Sequence, residues 1–127
     1  MTVAGTDVAK RYVTALAAKD TAALLALFAP EVSFRGMTPG RFWEAASATD
    51  LVHEVLYIWF GPSDTVEAIE FVETGNVVDR HRVDYRFRVR GGEGRYAVEQ
   101  RAYFDLDDSG RICRMQAQCA GYQPLPA

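Results

Sequence analysis

The sequence predicts an α+β domain in which amino-terminal helices pack on one face of a curved, mainly antiparallel β-sheet. Three observations carry this. Up to Gly61-Pro62 the apolar residues recur mostly at helical spacing, and beyond it they alternate with polar ones at a period of two. The alternating half is cut by "TGN", "GGEG" and "DDSG", turn signals that join antiparallel neighbours. Helices followed by a run of strands, with no repeat or linker between them, specify segregated layers around one core, and 127 residues fit a single domain spanning 1–127.

The elements follow in order. In "TDVAKRYVTALAA", residues 6–18, Val8, Tyr12, Ala15 and Leu16 share one helical face, and Thr6 or Asp7 can cap it. Asp20 can cap a second, short helix whose stripe is Leu24, Leu27 and Phe28 and which Pro30 stops. "VSFRG" reads as a short strand. "TPGRFWEAASATDLVHEVLYIWFGP" reads as a third helical region, broken near Ser47 to Asp50. Strands are expected at 64–74, 77–90, 95–107 and 111–122.

Composition excludes several classes. A net charge of -3 argues against a domain built around phosphate backbones, so no nucleic acid is expected as a partner. No apolar run approaches the roughly 20 residues that span a bilayer, so no membrane is expected either. The start "MTVAGTDVAKRYV" lacks a basic region followed by an apolar one, so a cytoplasmic location is expected. Cys113 and Cys119 fall on one strand at a separation of roughly 20 Å, too far for a disulfide. Without ligand spacing around them, no metal is expected. No phosphate loop, nucleophile elbow, zinc helix or Cys-x-x-Cys pair occurs, and no cofactor is expected.

The stretch "KRYVTALAAKDTAALLALFAPEVSF" resembles the opening helices of ketosteroid isomerase. "EQRAYFDLDDSGRICRMQAQCAGYQP" resembles the closing hairpin of SnoaL-like members of the same nuclear transport factor 2-like superfamily. The resemblance implies a cone-shaped fold and cofactor-free chemistry of isomerase, dehydratase or polyketide-cyclase type, in a superfamily that also holds binding modules. It implies an oxyanion-donating tyrosine at Tyr12. The positions of that family's general base and second oxyanion donor fall at Gly36 and Ala102, where no carboxyl group exists, so steroid isomerisation by that route is not expected.

Period two also sorts the basic stretch "RHRVDYRFRVR", residues 80–90. Its arginines and Asp84 share one face, and His81, Val83, Tyr85, Phe87 and Val89 share the other. Burying the second set recovers roughly 1.5–3 kcal/mol per large side chain, whereas burying five arginines would demand five partners. The odd-numbered face therefore points to the helices. On the next strand Val98, Gln100, Ala102, Phe104 and Leu106 face inward, as do Cys113, Met115, Ala117 and Cys119 on the last. On the outer face Glu99 and Asp105 are candidate ion-pair partners for its arginines, and the resemblance to the superfamily, whose outer sheet faces often form dimers, implies a homodimer contact through Arg82, Arg86, Tyr103, Gln116 and Gln118.

Inward polar residues need a reason. His81, oriented by Asp79, could act as general acid or base near neutral pH, and Tyr12 could donate to a carbonyl or enolate oxygen. If the strand begins later, Asp79 and His81 instead lie in a solvated turn. His53, at helical spacing with Thr49 and Tyr57, is a second proton-transfer candidate or a surface residue. Phe42, Trp43, Trp59, Tyr85, Phe87 and Phe104, with Met115 and Cys119, would line a cavity for a hydrophobic small molecule, and Gln100 would orient it. Arg41 and Glu44 stand near the expected mouth. The chain is then either an enzyme of that chemistry or a non-catalytic ligand-binding or accessory module.

Overall fold

The computed structural model describes residues 3–126. Helix α1 (Val3–Ala18) and helix α2 (Thr21–Leu27) meet at an elbow made by Lys19, whose φ of 53° is left-handed. Lys19 N–H returns to the Leu16 carbonyl at 3.1 Å and Asp20 N–H to the Ala15 carbonyl at 2.9 Å, the two bonds of a Schellman closure. Asp20 then caps α2 by accepting from Ala23 N–H at 3.1 Å, as the sequence predicts. Lys19 Nζ donates to the Asp64 carbonyl at 2.6 Å and Tyr57 Oη donates to the Lys19 carbonyl at 3.1 Å, tying the elbow to later segments.

The region read as one long helix divides. Strand β1 (Phe28–Thr38) turns through Pro39-Gly40 into strand β2 (Arg41–Ala45), with Thr38 opposite Arg41 and Gly40 at φ 78°, a value suited to the third position of a type II turn. Helix begins only after Ser47, whose Oγ accepts from Asp50 N–H at 3.1 Å. It runs through α3 (Ala48–Asp50), a π-helical turn (Leu51–Leu56) and α4 (Tyr57–Trp59). The expected break at Ser47–Asp50 is thus this helix's start.

Strands β3 (Thr65–Val77), β4 (Arg80–Gly91), β5 (Gly94–Leu106) and β6 (Ile112–Pro124) form the expected meander. It is widened by the two earlier strands into a six-stranded sheet of order β2-β1-β6-β5-β4-β3. Among the described residues only β1 against β6 is parallel. That pairing joins the two halves of the chain and closes the core. Tyr12, Leu16, Leu24, Leu51 and Leu56 pack there against Phe34, Val83, Tyr85, Phe87, Phe104 and Met115, all essentially sealed from solvent.

The two faces divide as the alternation predicts. Val83, Tyr85, Phe87 and Val89 are buried, while Arg86, Arg88 and Arg90 are exposed. One inward position moves: the β5–β6 register shifts between Asp105 and Leu106, so Ile112 is buried and Cys113 is only half-buried. Both cysteines are free thiols.

Candidate functional site

One row of the sheet collects the interior polar groups. Register places Tyr85 opposite Gln100 and Gln100 opposite Cys119, three inward side chains on three adjacent strands. Tyr12 reaches the row from α1, its ring edge-on to Tyr85 with centroids 6.0 Å apart. Tyr85 Oη donates to Gln100 Oε1 and lies 3.4 Å from Tyr12 Oη. A β6 bulge shapes the row: Val98 faces Tyr122 but Gln100 faces Cys119, so β6 carries one extra residue beside Gly121, whose φ is 89° and whose N–H points to Cys119 Sγ at 3.4 Å. Bulges of this kind re-aim side chains next to sites.

The row is not fully satisfied. Gln100 is 2% exposed, and its Nε2 is buried without a partner. An unpaired interior donor costs about 1–3 kcal/mol, so this amide is a donor waiting for an acceptor. Burial, opposed by the Tyr85 hydroxyl and reinforced by Cys119, pushes the Tyr12 phenol up to about 12. Burial first, and then the neighbouring Tyr12, push Tyr85 well above its ordinary value. Both hydroxyls therefore keep their protons at neutral pH and can act only as hydrogen-bond donors or acceptors, not as anions.

The expected proton-transfer groups are not gathered there. Strand β4 begins at Arg80, so Asp79 lies exposed in the turn after Val78, whose φ is 56°, and does not share an inward strand face with His81. His81 itself is half-buried, its ring 5.2 Å from that of Phe104. Gly5 of α1 closes over it, and a Cβ added there would stand 2.2 Å from His81 Nδ1. Gly5 and Tyr12 are two helical turns apart, about 10 Å, so His81 and the tyrosine pair occupy different ends of the interior. His53 lies on the exposed side of the π-helical turn, edge-on to Tyr57 at 5.8 Å. Its neighbours on the helix, Val52 and Leu56, take the inward places.

The aromatic candidates touch one another. Phe87 packs on Tyr85 and Phe60, and Trp59 meets Trp43 and Phe34 with centroids 6.1 and 6.0 Å apart. Met115 pairs with Phe104 across β5 and β6, and both are fully buried. Trp43, half-buried on β2, donates its Nε1 to Thr38 Oγ1 at 2.9 Å, and Arg41 stacks on its ring at 3.6 Å. Phe42 departs from its expected place: as the even residue of a strand rather than part of a helix it turns outward and is 79% exposed. Glu44 also lies outside, paired with Arg35 at 3.4 Å. Trp59 Nε1 is a second buried donor without a partner.

Gly36 and Ala102, where the resemblance to ketosteroid isomerase would set carboxyl groups, are both interior. Gly36 faces inward on β1, where a Cβ would meet the Trp59 ring at 2.8 Å and the Phe34 ring at 2.9 Å. The space a carboxylate would need is filled by aromatic rings. Ala102 is buried opposite Val83. Phe34, Phe60 and the clearance at Gly5 were not singled out from the sequence. The Tyr85–Gln100 contact had a legible signal: counting six residues outward from the Gly91/Gly94 pair that flanks "GE" puts Tyr85 opposite Gln100. Among the described residues no group of three His, Cys, Asp or Glu side chains could hold a metal, and no helix is long and apolar enough to cross a membrane.

Helices laid over an open, curved sheet with an aromatic, hydroxyl-bearing interior define the nuclear transport factor 2-like class of small α+β proteins. Residues 9–115 match the model of the SnoaL-like domain, and the chain belongs to that family. Three solved structures show the same fold. A provisionally assigned isomerase from Bacillus subtilis is 11% identical, with a TM-score of 0.75 over 91% of this chain and 86% of that one. An NTF2-like protein from Burkholderia thailandensis is 16% identical, with a TM-score of 0.69 over 89% and 88%. A provisionally assigned SnoaL-like polyketide cyclase from Shewanella putrefaciens is 13% identical, with a TM-score of 0.63 over 90% and 88%. Among curated proteins, none matches the sequence at a significant level.

Proposed function

We propose that this domain is a cofactor-independent enzyme that binds a hydrophobic carbonyl compound and promotes proton transfer at it, in the manner of an isomerase, dehydratase or cyclase. The observation that carries the reading is the unpartnered Gln100 amide beside two protonated tyrosines. A ligand oxygen accepting from Tyr12 and Gln100 would acquire the donors that stabilise a developing enolate, and a donor of this kind is worth about 10²-fold or more when well aimed. His81, half-buried on β4 beneath Gly5, lies about two turns of α1 from Tyr12, which favours a substrate long enough to meet both. The provisional isomerase and polyketide-cyclase assignments of two proteins of the same fold support the same class.

A second reading, ligand binding without catalysis, is favoured by one fact: the general-base position is Gly36, walled by Trp59 and Phe34. Hydrogen–deuterium exchange at the α-carbon of a panel of aromatic and polycyclic ketones, followed by NMR, separates the two. The enzymatic reading predicts catalysed exchange that falls about 10²-fold in Tyr12→Phe and by a similar factor in His81→Ala. Ketone binding with no exchange above the solvent rate contradicts it and leaves the binding module. Self-association through the outer sheet face around Arg82, Arg86, Tyr103, Gln116 and Gln118 belongs to the same proposal, and sedimentation of Tyr103→Glu against the parent chain tests it.

A further inference from the structure

The inward residues of β6 are not equally sealed. Met115 is closed off completely, whereas Ala117 and Cys119 each keep 6% exposure and Trp59 above them keeps 7%. Trp59 spans this stretch. Its ring stands over Gly36, which pairs with Ala117, and its carbonyl accepts from Tyr122 Oη at 2.7 Å. Cys119 lies between these two anchor points and directly opposite Gln100. The thiol therefore sits at the edge of the polar row, on an inward stretch of β6 that the core leaves incompletely covered.

Two buried donors without a partner frame that thiol, Gln100 Nε2 and Trp59 Nε1. Gln100 Oε1 is held by Tyr85 Oη from the β4 side, so the planar amide turns its Nε2 away from Tyr85, toward the side on which β6 sets Cys119. Trp43, by contrast, spends its indole N–H on Thr38. The two cysteines differ in the same way. Cys113, half-buried, gives its S–H to the Asp105 carbonyl at 3.5 Å. Cys119 Sγ instead accepts the N–H of Gly121 at 3.4 Å, brought to it by the bulge and the 89° φ of that glycine, and this contact holds the sulfur beside the polar row. A free cysteine that only fills a core behaves as a small hydrophobe and needs no such support. Of the groups gathered in this row, with both tyrosines protonated and Gln100 neutral, the thiol is the one suited to attack carbon.

We propose that the carbonyl compound this site takes is α,β-unsaturated, and that Cys119 adds to its β-carbon. The inference rests on the reading that Tyr12 and Gln100 hold a carbonyl oxygen. Neighbouring strands are about 4.8 Å apart, so a carbonyl held by Gln100 sets its conjugated carbons over Cys119. The step balances within the pair. The S–H bond breaks and a C–S bond forms at the β-carbon, while the C=C electron pair moves to the oxygen as an enolate held by the Tyr12 and Gln100 donors. The proton released from sulfur is the one the α-carbon takes up, so the sum is addition of S–H across C=C with no co-reactant.

The test incubates the full chain with benzylideneacetone and titrates it separately with the saturated counterpart benzylacetone, following the protein by intact mass spectrometry and peptide mapping. A single enone per chain is expected, on Cys119, at a rate that saturates with enone concentration and is slowed by added benzylacetone. Cys113→Ser keeps the adduct. Cys119→Ser, its fold checked by circular dichroism, loses it, and Gln100→Leu, with the thiol intact, forms it about tenfold or more slowly. Three results overturn the role of the thiol and leave the carbonyl site standing: no adduct in a chain that binds benzylacetone, capture on Cys113 as readily as on Cys119, or an undiminished rate in Gln100→Leu. A chain that binds neither compound overturns both readings. Saturable capture at Cys119 without exchange at the α-carbon supports the thiol and refutes the enzymatic reading.

Discussion

The inner and outer faces of β4 and β5 handle polar groups in opposite ways. Outside, Asp84 is 8% exposed yet accepts from two arginines, and most other charges find a partner within 4 Å. Inside, Gln100 is 2% exposed and keeps an amide with no partner at all. The outer face can tolerate imperfect pairing because water stands by, and there Arg82 and Arg101 share the single Asp84. The interior is sealed and nevertheless leaves donors without a protein partner at Gln100 on β5 and at Trp59 on α4. Interior polarity left incomplete is the mark of a place meant for something else, since stability alone would have chosen a leucine.

This contrast can be broken from either side. The largest effect is expected from placing a carboxylate where the resemblance to ketosteroid isomerase puts that family's base: Gly36→Asp buries it against Trp59 and Phe34 and should destabilise by more than about 3 kcal/mol in urea denaturation, without raising exchange above the parent's. On the outer face Asp84→Asn leaves Arg82 and Arg101 without their shared anion, and a loss of about 1–3 kcal/mol is expected from the same measurement.

Alkaline titration probes the interior more gently. Tyr12 ionises near 10 in the unfolded chain but only at about 12 in the fold, so the native state holds this proton more tightly. Stability should be undiminished below about pH 10 and should fall as pH rises from there through 12, with Tyr12→Phe removing part of the slope. Tyrosinate absorbance that rises for the buried pair while the fold is intact would contradict this. The smallest effect belongs to the exposed Arg86–Glu99 pair at 3.2 Å: Glu99→Gln should change stability by less than about 1 kcal/mol and lose even that in high salt.

How far the sequence could be read depended on how local each signal was. The last four strands were legible because alternation and turn residues are local, and parity alone sent Tyr85, Phe87, Gln100 and Phe104 inward. Strand β2 was not, because "RFWEA" is five residues long and fits either period. Its identity depends on the Pro39-Gly40 turn and on Trp43 meeting Trp59. The π-helical turn and the parallel β1–β6 pairing depend on contacts far apart in the chain. For the site, Tyr12 and Gln100 were readable as inward polar residues, but their meeting around Tyr85 needed register and a helix position together. Asp79 was misplaced by three residues of strand boundary, which is enough to move a carboxylate from an inward face into water.

The central claim is that Gln100 is kept for a ligand oxygen and not for the fold, and Gln100→Leu tests it most directly. Leucine of similar volume removes the orphan amide while leaving Tyr85 free to turn toward Tyr12. Paired urea denaturation and ketone titration of this variant should show stability unchanged or raised by about 1 kcal/mol together with a loss of ketone affinity of tenfold or more. A variant that loses several kcal/mol of stability, or that binds ketones as the parent does, would contradict the account.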